Sequence, residues 1–101
     1  MKGLGFMSNE ATIAELIKRR RRQVWVHSII YYKMDANLID DSTWSKWAEE
    51  LEELQRQYPD ISDSVEFADV FKGFDHSTGS TLPLDDPEMN RIAQRLIDIC
   101  S

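Results

Sequence analysis

The fold of this chain is decided by residues 23–59, which read QVWVHSIIYYKMDANLIDDSTWSKWAEELEELQRQYP. An apolar segment ends at two tyrosines, an acidic turn follows, and a second segment ends at Pro59, which has no amide hydrogen for a helix to use. The second segment carries apolar residues at alternating steps of three and four: Trp44, Trp47, Leu51, Leu54 and Tyr58. This spacing places them on one face of an α-helix. The stretch therefore predicts two antiparallel helices joined by a short turn.

The same helical periodicity covers most of the chain and predicts an all-α fold. No segment alternates between apolar and polar residues for long enough to be a strand. We predict a single domain, a small bundle of three to four helices built on the antiparallel helical hairpin. The predicted segments are a disordered leader over 1–8, helix A over 9–34, helix B over 41–58 with Asp41 or Ser42 as its N-cap, helix C over 63–73, a polar loop over 75–85, and helix D over 86–99 with Asp85 or Asp86 as its cap.

The net charge of this 101-residue chain is −6, and it is unevenly distributed. Residues 1–34 hold seven Lys or Arg and two Glu, whereas residues 35–101 hold five Lys or Arg and sixteen Asp or Glu. A mostly acidic surface repels the phosphates of a DNA duplex, so direct DNA binding is not expected. No apolar run reaches the roughly 20 residues that cross a membrane, and we expect a cytoplasmic protein.

A basic patch, formed by Arg19, Arg20, Arg21 and Arg22 next to Lys18, is the exception to this acidity. Consecutive positions on a helix point in different directions, so these side chains cannot all contact one phosphate strand. We interpret the patch as a solvated face, in which the long aliphatic parts of the side chains cover the edge of the core. The alternatives are a contact with an anion or an interface with an acidic partner.

A known family shows a similar order of residues. Tyr31-Tyr32 end the first helix, Ile39-Asp40-Asp41 follow the turn, and Tyr58-Pro59 end the second helix. In this arrangement residues 16–60 resemble the small N-terminal helical domain of bacterial NAD-dependent DNA ligases. In that family the domain grips the nicotinamide mononucleotide (NMN) half of NAD. The resemblance implies that the ligand-binding residues here are Tyr31, Tyr32, Asp41 and Trp44.

The implied ligand suits these residue types. An aromatic ring can stack on the flat nicotinamide, and its face attracts the positive charge of that ring. A carboxylate such as Asp41 can accept hydrogen bonds from the ribose hydroxyls or the carboxamide. Where the family usually has tyrosine and then aspartate, this chain has Trp44 and Ser45, which keeps a ring and loses a carboxylate. The alternatives are that the aromatic residues only fill the core and that Asp41 only caps helix B.

The resemblance also implies a binding module and not an enzyme. No lysine of this sequence lies in the nucleophile motif of the family, and a zinc-binding set of cysteines is absent because Cys100 is the single cysteine. We therefore expect no catalysis and no required cofactor, with NMN or NAD as the candidate ligand. The chain is similar to small ligase-related proteins that phages and prophages encode, and we expect that origin.

Other features lead to further hypotheses. The loop that begins with Asp75, His76, Ser77 and Thr78 is longer than most helix connections, and long loops are often functional. A recognition loop is therefore one hypothesis for it, and a simple connector is the alternative. The acidic face of helix B suggests an alternative function, an acidic protein-interaction module or inhibitor that binds a nucleic-acid-handling protein of a host or phage. The number of aromatic residues suggests a homodimer. Two histidines so far apart in sequence do not predict a metal site.

Overall fold

The computed structural model describes residues 2–77 and 82–100, with side chains from Glu10 onward. Its helices are α1 (Lys2–Tyr32), α2 (Asp41–Gln57), α3 (Pro59–Ser64) and α4 (Pro87–Cys100). The described residues contain no strand, so the predicted all-α bundle is confirmed. None of the helices in this described part of the chain is both long and apolar enough to cross a membrane.

Helix α1 is the centre of the bundle, because α2, α3 and α4 all pack against it. A helix with neighbours on several sides buries more than one stripe of residues, and α1 is buried at consecutive positions in its second half. Its buried apolar residues are Ile17, Val24, Trp25, Val26, Ile29 and Ile30. The remaining elements contribute Ala48, Leu51, Phe71, Phe74, Leu82, Met89 and Ala93 to the same core.

The first two helices form the predicted antiparallel hairpin. Arg21 contacts Gln55 far from the turn, whereas the rings of His27 and Trp47 meet nearer to it, at 5.5 Å between their centroids. The start of α1 differs from the prediction, since the helix begins at Lys2 and residues 1–8 were expected to be a disordered leader. No proline interrupts this part of the sequence, and extending a formed helix costs far less than starting one.

The predicted helix over 63–73 is wrong. α3 begins at Pro59, which suits the first helical position because its missing N–H has no partner there, and the helix ends at Ser64. Val65 is extended, and Phe67 has a φ of 72°, which a helix cannot accommodate. Residues 65–73 form successive turns that still bring apolar side chains to the core. The apolar spacing that suggested a helix therefore reflects core contacts of a non-helical segment.

A buried arginine holds this turn segment against the bundle. Arg21 is 1% exposed, and its guanidinium donates to Gln55 Oε1 (2.9 Å), Ser62 Oγ (2.7 Å), Ser62 O (2.9 Å), Val65 O (3.0 Å) and Glu66 O (2.9 Å). A guanidinium suits this role because it offers five N–H donors in a fixed plane. Burial lowers the pKa of this guanidinium, and the charge of Asp63 partly opposes that effect.

The basic patch is therefore not one solvated face. Arg21 is turned inward, and Arg20 forms an ion pair with Glu50 on α2. The prediction placed all four arginines of the patch at the solvent. Of these four, Arg19 and Arg22 are exposed. The prediction was wrong because it placed all of these cations at the solvent, although α1 has neighbours on several sides and must bury some of its positions.

The segment before α4 is fixed by one buried indole. Trp25 Nε1 donates to Pro83 O at 2.6 Å, and Leu82 is buried beside it in the core. Asp86 then caps α4 by accepting a hydrogen bond from Met89 N at 3.0 Å, which confirms one of the two predicted caps.

Candidate functional site

The turn between α1 and α2 creates a concave surface. After α1 ends at Tyr32, Asp35 adopts a left-handed backbone with a φ of 54°, which aspartate tolerates better than most residues. Ala36 N donates to Ile30 O at 3.0 Å, a bond that closes the end of the helix as in a Schellman motif. The predicted turn between the two helices is therefore confirmed, and it carries the chain directly back to α2.

The N-cap of α2 is Asp40, and the prediction of Asp41 or Ser42 is wrong. Asp40 has the extended backbone of a cap residue, and its Oδ1 accepts a hydrogen bond from Thr43 N at 2.9 Å. The hydrogen bonds from Thr43 lower the pKa of the Asp40 carboxyl, so this group is charged at neutral pH. Asp41 lies in the first turn of α2, exposed and not used as the cap.

A pocket of about 330 Å³ lies between the end of α1, the turn and the start of α2. All four residues that the resemblance implied as ligand-binding line it: Tyr31, Tyr32, Asp41 and Trp44. The tyrosines come from α1 and the other two residues from α2, so the hairpin is what brings them together. Its volume lies within the range of about 300–1,000 Å³ that is usual for small-molecule sites.

The aromatic residues of this pocket are not ordinary core residues. Tyr31 and Tyr32 are 49% and 51% exposed, and their rings meet edge to face at 4.9 Å between centroids. Trp44 is half-buried, and its Nε1 donates to Val24 O at 3.3 Å, which fixes the orientation of the indole. The pocket is thus lined by two half-exposed phenol rings from α1 and one anchored indole from α2. That arrangement favours a flat, stacked ligand.

His27 also lines the pocket, although it was not among the ligand-binding residues that the resemblance implied. Burial lowers the pKa of the His27 imidazole, so the ring is neutral at neutral pH. It lies one helical turn before Tyr31, and residues with this spacing share a helix face. The spacing was the signal that could have placed it in the site.

The residues predicted as a recognition loop are only partly within the described chain, because Thr78 lies outside it. His76 and Asp75 lie beside Glu52 of α2: the backbone N–H of His76 donates to Glu52 Oε1 at 2.9 Å, and His76 Nδ1 lies 2.7 Å from the same oxygen. Ser77 donates to Asp75 Oδ1 through its N (2.8 Å) and its Oγ (2.9 Å). The hydrogen bond with Glu52 raises the pKa of His76.

Glu52, Asp75 and His76 offer ligand atoms that all lie within 4.8 Å of one another, a spacing that a metal ion could bridge. The sequence did not predict this grouping, because Glu52 and His76 are far apart along the chain and meet only through packing. The group is solvent-accessible, and its atoms already form the hydrogen bonds given above. It lies apart from the residues that line the pocket at the turn.

More of the charged side chains contact groups of opposite charge within the chain than the sequence suggested. On α2, Glu50 pairs with Arg20, Glu53 with Arg56, and Glu52 with His76. The exposed Arg19 and Arg22 line a second groove of about 300 Å³ between α1 and α4, where Lys18 pairs with Glu66 at 2.9 Å.

Comparison with known families identifies the class of this domain. The model of the DNA ligase-like, N-terminal NAD+-binding domain matches residues 10–64, more than half of the chain. The chain belongs to this family. The match includes every residue that lines the pocket at the turn, whereas α4 lies beyond it. No solved structure matches the chain significantly.

Proposed function

We propose that this domain binds a nicotinamide nucleotide in the pocket between the end of α1 and the start of α2, and that it does so without catalysing a reaction on it. One observation carries the proposal. Tyr31, Tyr32, Asp41 and Trp44 line a single pocket, and they lie within the segment that matches the family of NAD+-binding domains.

The chemistry of the lining supports this ligand. A nicotinamide ring that is attached to ribose carries a positive charge, and one of the two half-exposed tyrosine rings, whose planes are 89° apart, can stack on it. Asp41 does not cap α2, so both of its oxygens can accept hydrogen bonds from ribose hydroxyls. The indole of Trp44, which also lines the pocket, is already held by its hydrogen bond to Val24 O. A site that is ordered before the ligand arrives loses less entropy on binding.

A binding role is favoured over catalysis by the chemistry of the same lining. Among the described residues, those that line the pocket offer one imidazole, two carboxylates, and hydroxyl groups, and they include no lysine or cysteine nucleophile. The candidate bases are His27 and the two carboxylates, and His27 has no carboxylate or carbonyl partner among the hydrogen bonds of the described residues. A positioned base with an orienting group is the usual requirement for proton transfer.

The alternative, an acidic protein-interaction module, has weaker support. It relied on the acidic face of helix B, but Glu50 and Glu53 of α2 form ion pairs within the chain, and Glu52 contacts the His76 imidazole. Salt bridges at a surface can be exchanged for those of a partner, so a pull-down at low and high salt remains the direct test of that function.

Isothermal titration calorimetry with NMN and with nicotinamide riboside tests the proposal. We expect saturable binding of at least one of them to the unaltered protein and its loss in Tyr31→Ala. Tyr31 is about half exposed, so this change should leave the fold intact, which circular dichroism checks. The matched control is Ile99→Ala, which removes a 70% exposed side chain from α4 and should leave binding unchanged. No saturable binding at millimolar concentration would contradict the proposal.

A further inference from the structure

We propose that Glu52, Asp75 and His76 form a binding site for a divalent cation of the zinc class, which links α2 to the segment that precedes α4. One oxygen of each carboxylate and a nitrogen of the imidazole lie within 4.8 Å of one another. None of the three residues lines the pocket at the turn, so this inference does not depend on the proposed nicotinamide ligand.

The distances between the ligand atoms suit a tetrahedral ion. Zn²⁺ binds imidazole nitrogen and carboxylate oxygen at about 2.0–2.2 Å, which places two of its ligand atoms roughly 3.4 Å apart. His76 Nδ1 lies 2.7 Å from Glu52 Oε1 and 3.7 Å from Asp75 Oδ1, one below and one above that separation. All three side chains are exposed or half-buried, so small rotations bring their atoms to the required separations. Ser77 donates two hydrogen bonds to Asp75 Oδ1, and carboxylates that bind metals usually accept such bonds.

The kinds of ligand atom select among divalent cations. Carboxylates alone would suit Mg²⁺ or Ca²⁺, which take oxygen ligands. The imidazole of His76 favours a softer ion such as Zn²⁺. Binding uses the lone pair of Nδ1, so the ring carries its proton on Nε2 and any proton on Nδ1 leaves to solvent. Three protein ligands leave the fourth position to water, as in zinc sites that are open to solvent.

The charge around the imidazole also favours a cation. Glu49 lies one turn before Glu52 on α2, and its negative charge acts on His76 together with those of the two carboxylates of the site. A protonated ring would neutralise only one of these three negative charges. Arg56 on the same helix forms its ion pair with Glu53. The excess of negative charge therefore attracts a divalent cation to this point of the surface.

The two elements that supply the ligands are already held together by the core. Phe74, directly before the loop ligands, is buried, and Gln55 Nε2 of α2 donates to Phe71 O at 3.1 Å. Gln55 lies one turn after Glu52, so the face of α2 that carries the carboxylate also holds the start of the loop. The ligand atoms are therefore close to one another before an ion binds, which lowers the entropic cost of binding.

Calorimetric titration with Zn²⁺, in a buffer that does not chelate metals, tests the site. We expect one Zn²⁺ per chain, and an affinity at least about tenfold lower in Glu52→Gln and in His76→Gln, because the loss even of a group that orients a ligand costs about 10–100-fold. The matched control Glu50→Gln removes a carboxylate of α2 that pairs with Arg20 outside the site. Cys100→Ser removes the exposed thiol. Both controls should bind Zn²⁺ like the unaltered chain, and Mg²⁺ should bind much more weakly.

Thermal unfolding supplies an independent measurement. Zn²⁺ should raise the Tm of the unaltered chain and leave that of His76→Gln unchanged, because an ion that binds only the folded chain stabilises it. Circular dichroism checks that the variants are folded. Unchanged Zn²⁺ affinity in His76→Gln, or loss of affinity in Cys100→Ser, would overturn the assignment of the ligands. Equal affinity for Mg²⁺ would overturn the role of the imidazole, and no saturable binding of submillimolar Zn²⁺ would refute the site.

Discussion

Replacement of the buried Arg21 by methionine should lower the free energy of unfolding more than the removal of any other single charge in α1. Methionine is similar in length and apolar, so it removes the guanidinium without leaving a large void. The change deprives the carbonyls of Ser62, Val65 and Glu66 of their donors. Leaving a buried polar group without a partner costs about 1–3 kcal/mol. At the lower limit for each carbonyl, the free energy of unfolding should fall by about 3 kcal/mol.

This loss is large for a domain of such size. The whole stability of a domain of this length is about 5–15 kcal/mol, and a loss of about 3 kcal/mol should lower Tm by about 12 °C or more. Urea unfolding followed by circular dichroism and by tryptophan fluorescence gives the free energy directly. Arg21→Lys should be intermediate, because lysine keeps the charge but cannot reach all the acceptors with a planar fork.

The matched control is Arg22→Met, which makes the same substitution at the next position of the same helix. Arg22 is exposed, and its replacement should change stability by no more than about 0.5 kcal/mol. The reasoning would be refuted if Arg21→Met and Arg22→Met were equal within about 1 kcal/mol. That result would mean that water replaces the guanidinium at no cost.

Three further predictions concern other contacts. In an NMR titration His76 should have a pKa above, and His27 below, the ordinary value of about 6.5. The contact of His76 with Glu52 therefore stabilises the fold at acidic pH, and this stabilisation is lost as the pH rises through the raised pKa of His76. A pKa of His76 below that of His27 would contradict this prediction. Asp40→Ala should lower Tm and also weaken ligand binding, whereas Asp40→Asn should retain Tm because asparagine is also a good N-cap. Equal melting temperatures of the two variants would refute the capping role. Trp25→Phe should destabilise by about 1 kcal/mol through loss of the hydrogen bond to Pro83 and accelerate amide exchange near Leu82, and unchanged exchange would count against that anchor.

The hairpin could be predicted from the sequence because its signals are local. The spacing of Trp47 and Leu51 identifies one helix, and a short turn after Tyr32 leaves an antiparallel return as the only compact arrangement. The ligand-binding residues came from the resemblance, and the structure places them around one pocket, although their binding role stays a prediction. The cap was misplaced because all four residues Asp40–Thr43 are of types that are suitable as N-caps.

The parts that could not be predicted depend on contacts distant in sequence. The burial of Arg21 requires the backbone carbonyls of residues 62–66, whose orientation no local pattern specifies. The turn segment after α3 has helical apolar spacing, and only the left-handed backbone at Phe67 and the bonds from Arg21 show that it is not a helix. The contact between Glu52 and His76 arises in the same way, from packing of a loop on α2.

The most direct test of the central claim uses the indole N–H resonances of the isotope-labelled protein during titration with nicotinamide riboside. Trp44 lines the pocket, and its N–H is fixed on Val24 O, whereas the N–H of Trp25 donates to Pro83 O away from the pocket. The account predicts a saturable shift of the Trp44 resonance together with a stationary Trp25 resonance. No saturable shift of Trp44 at millimolar ligand, or equal shifts of both, would contradict it.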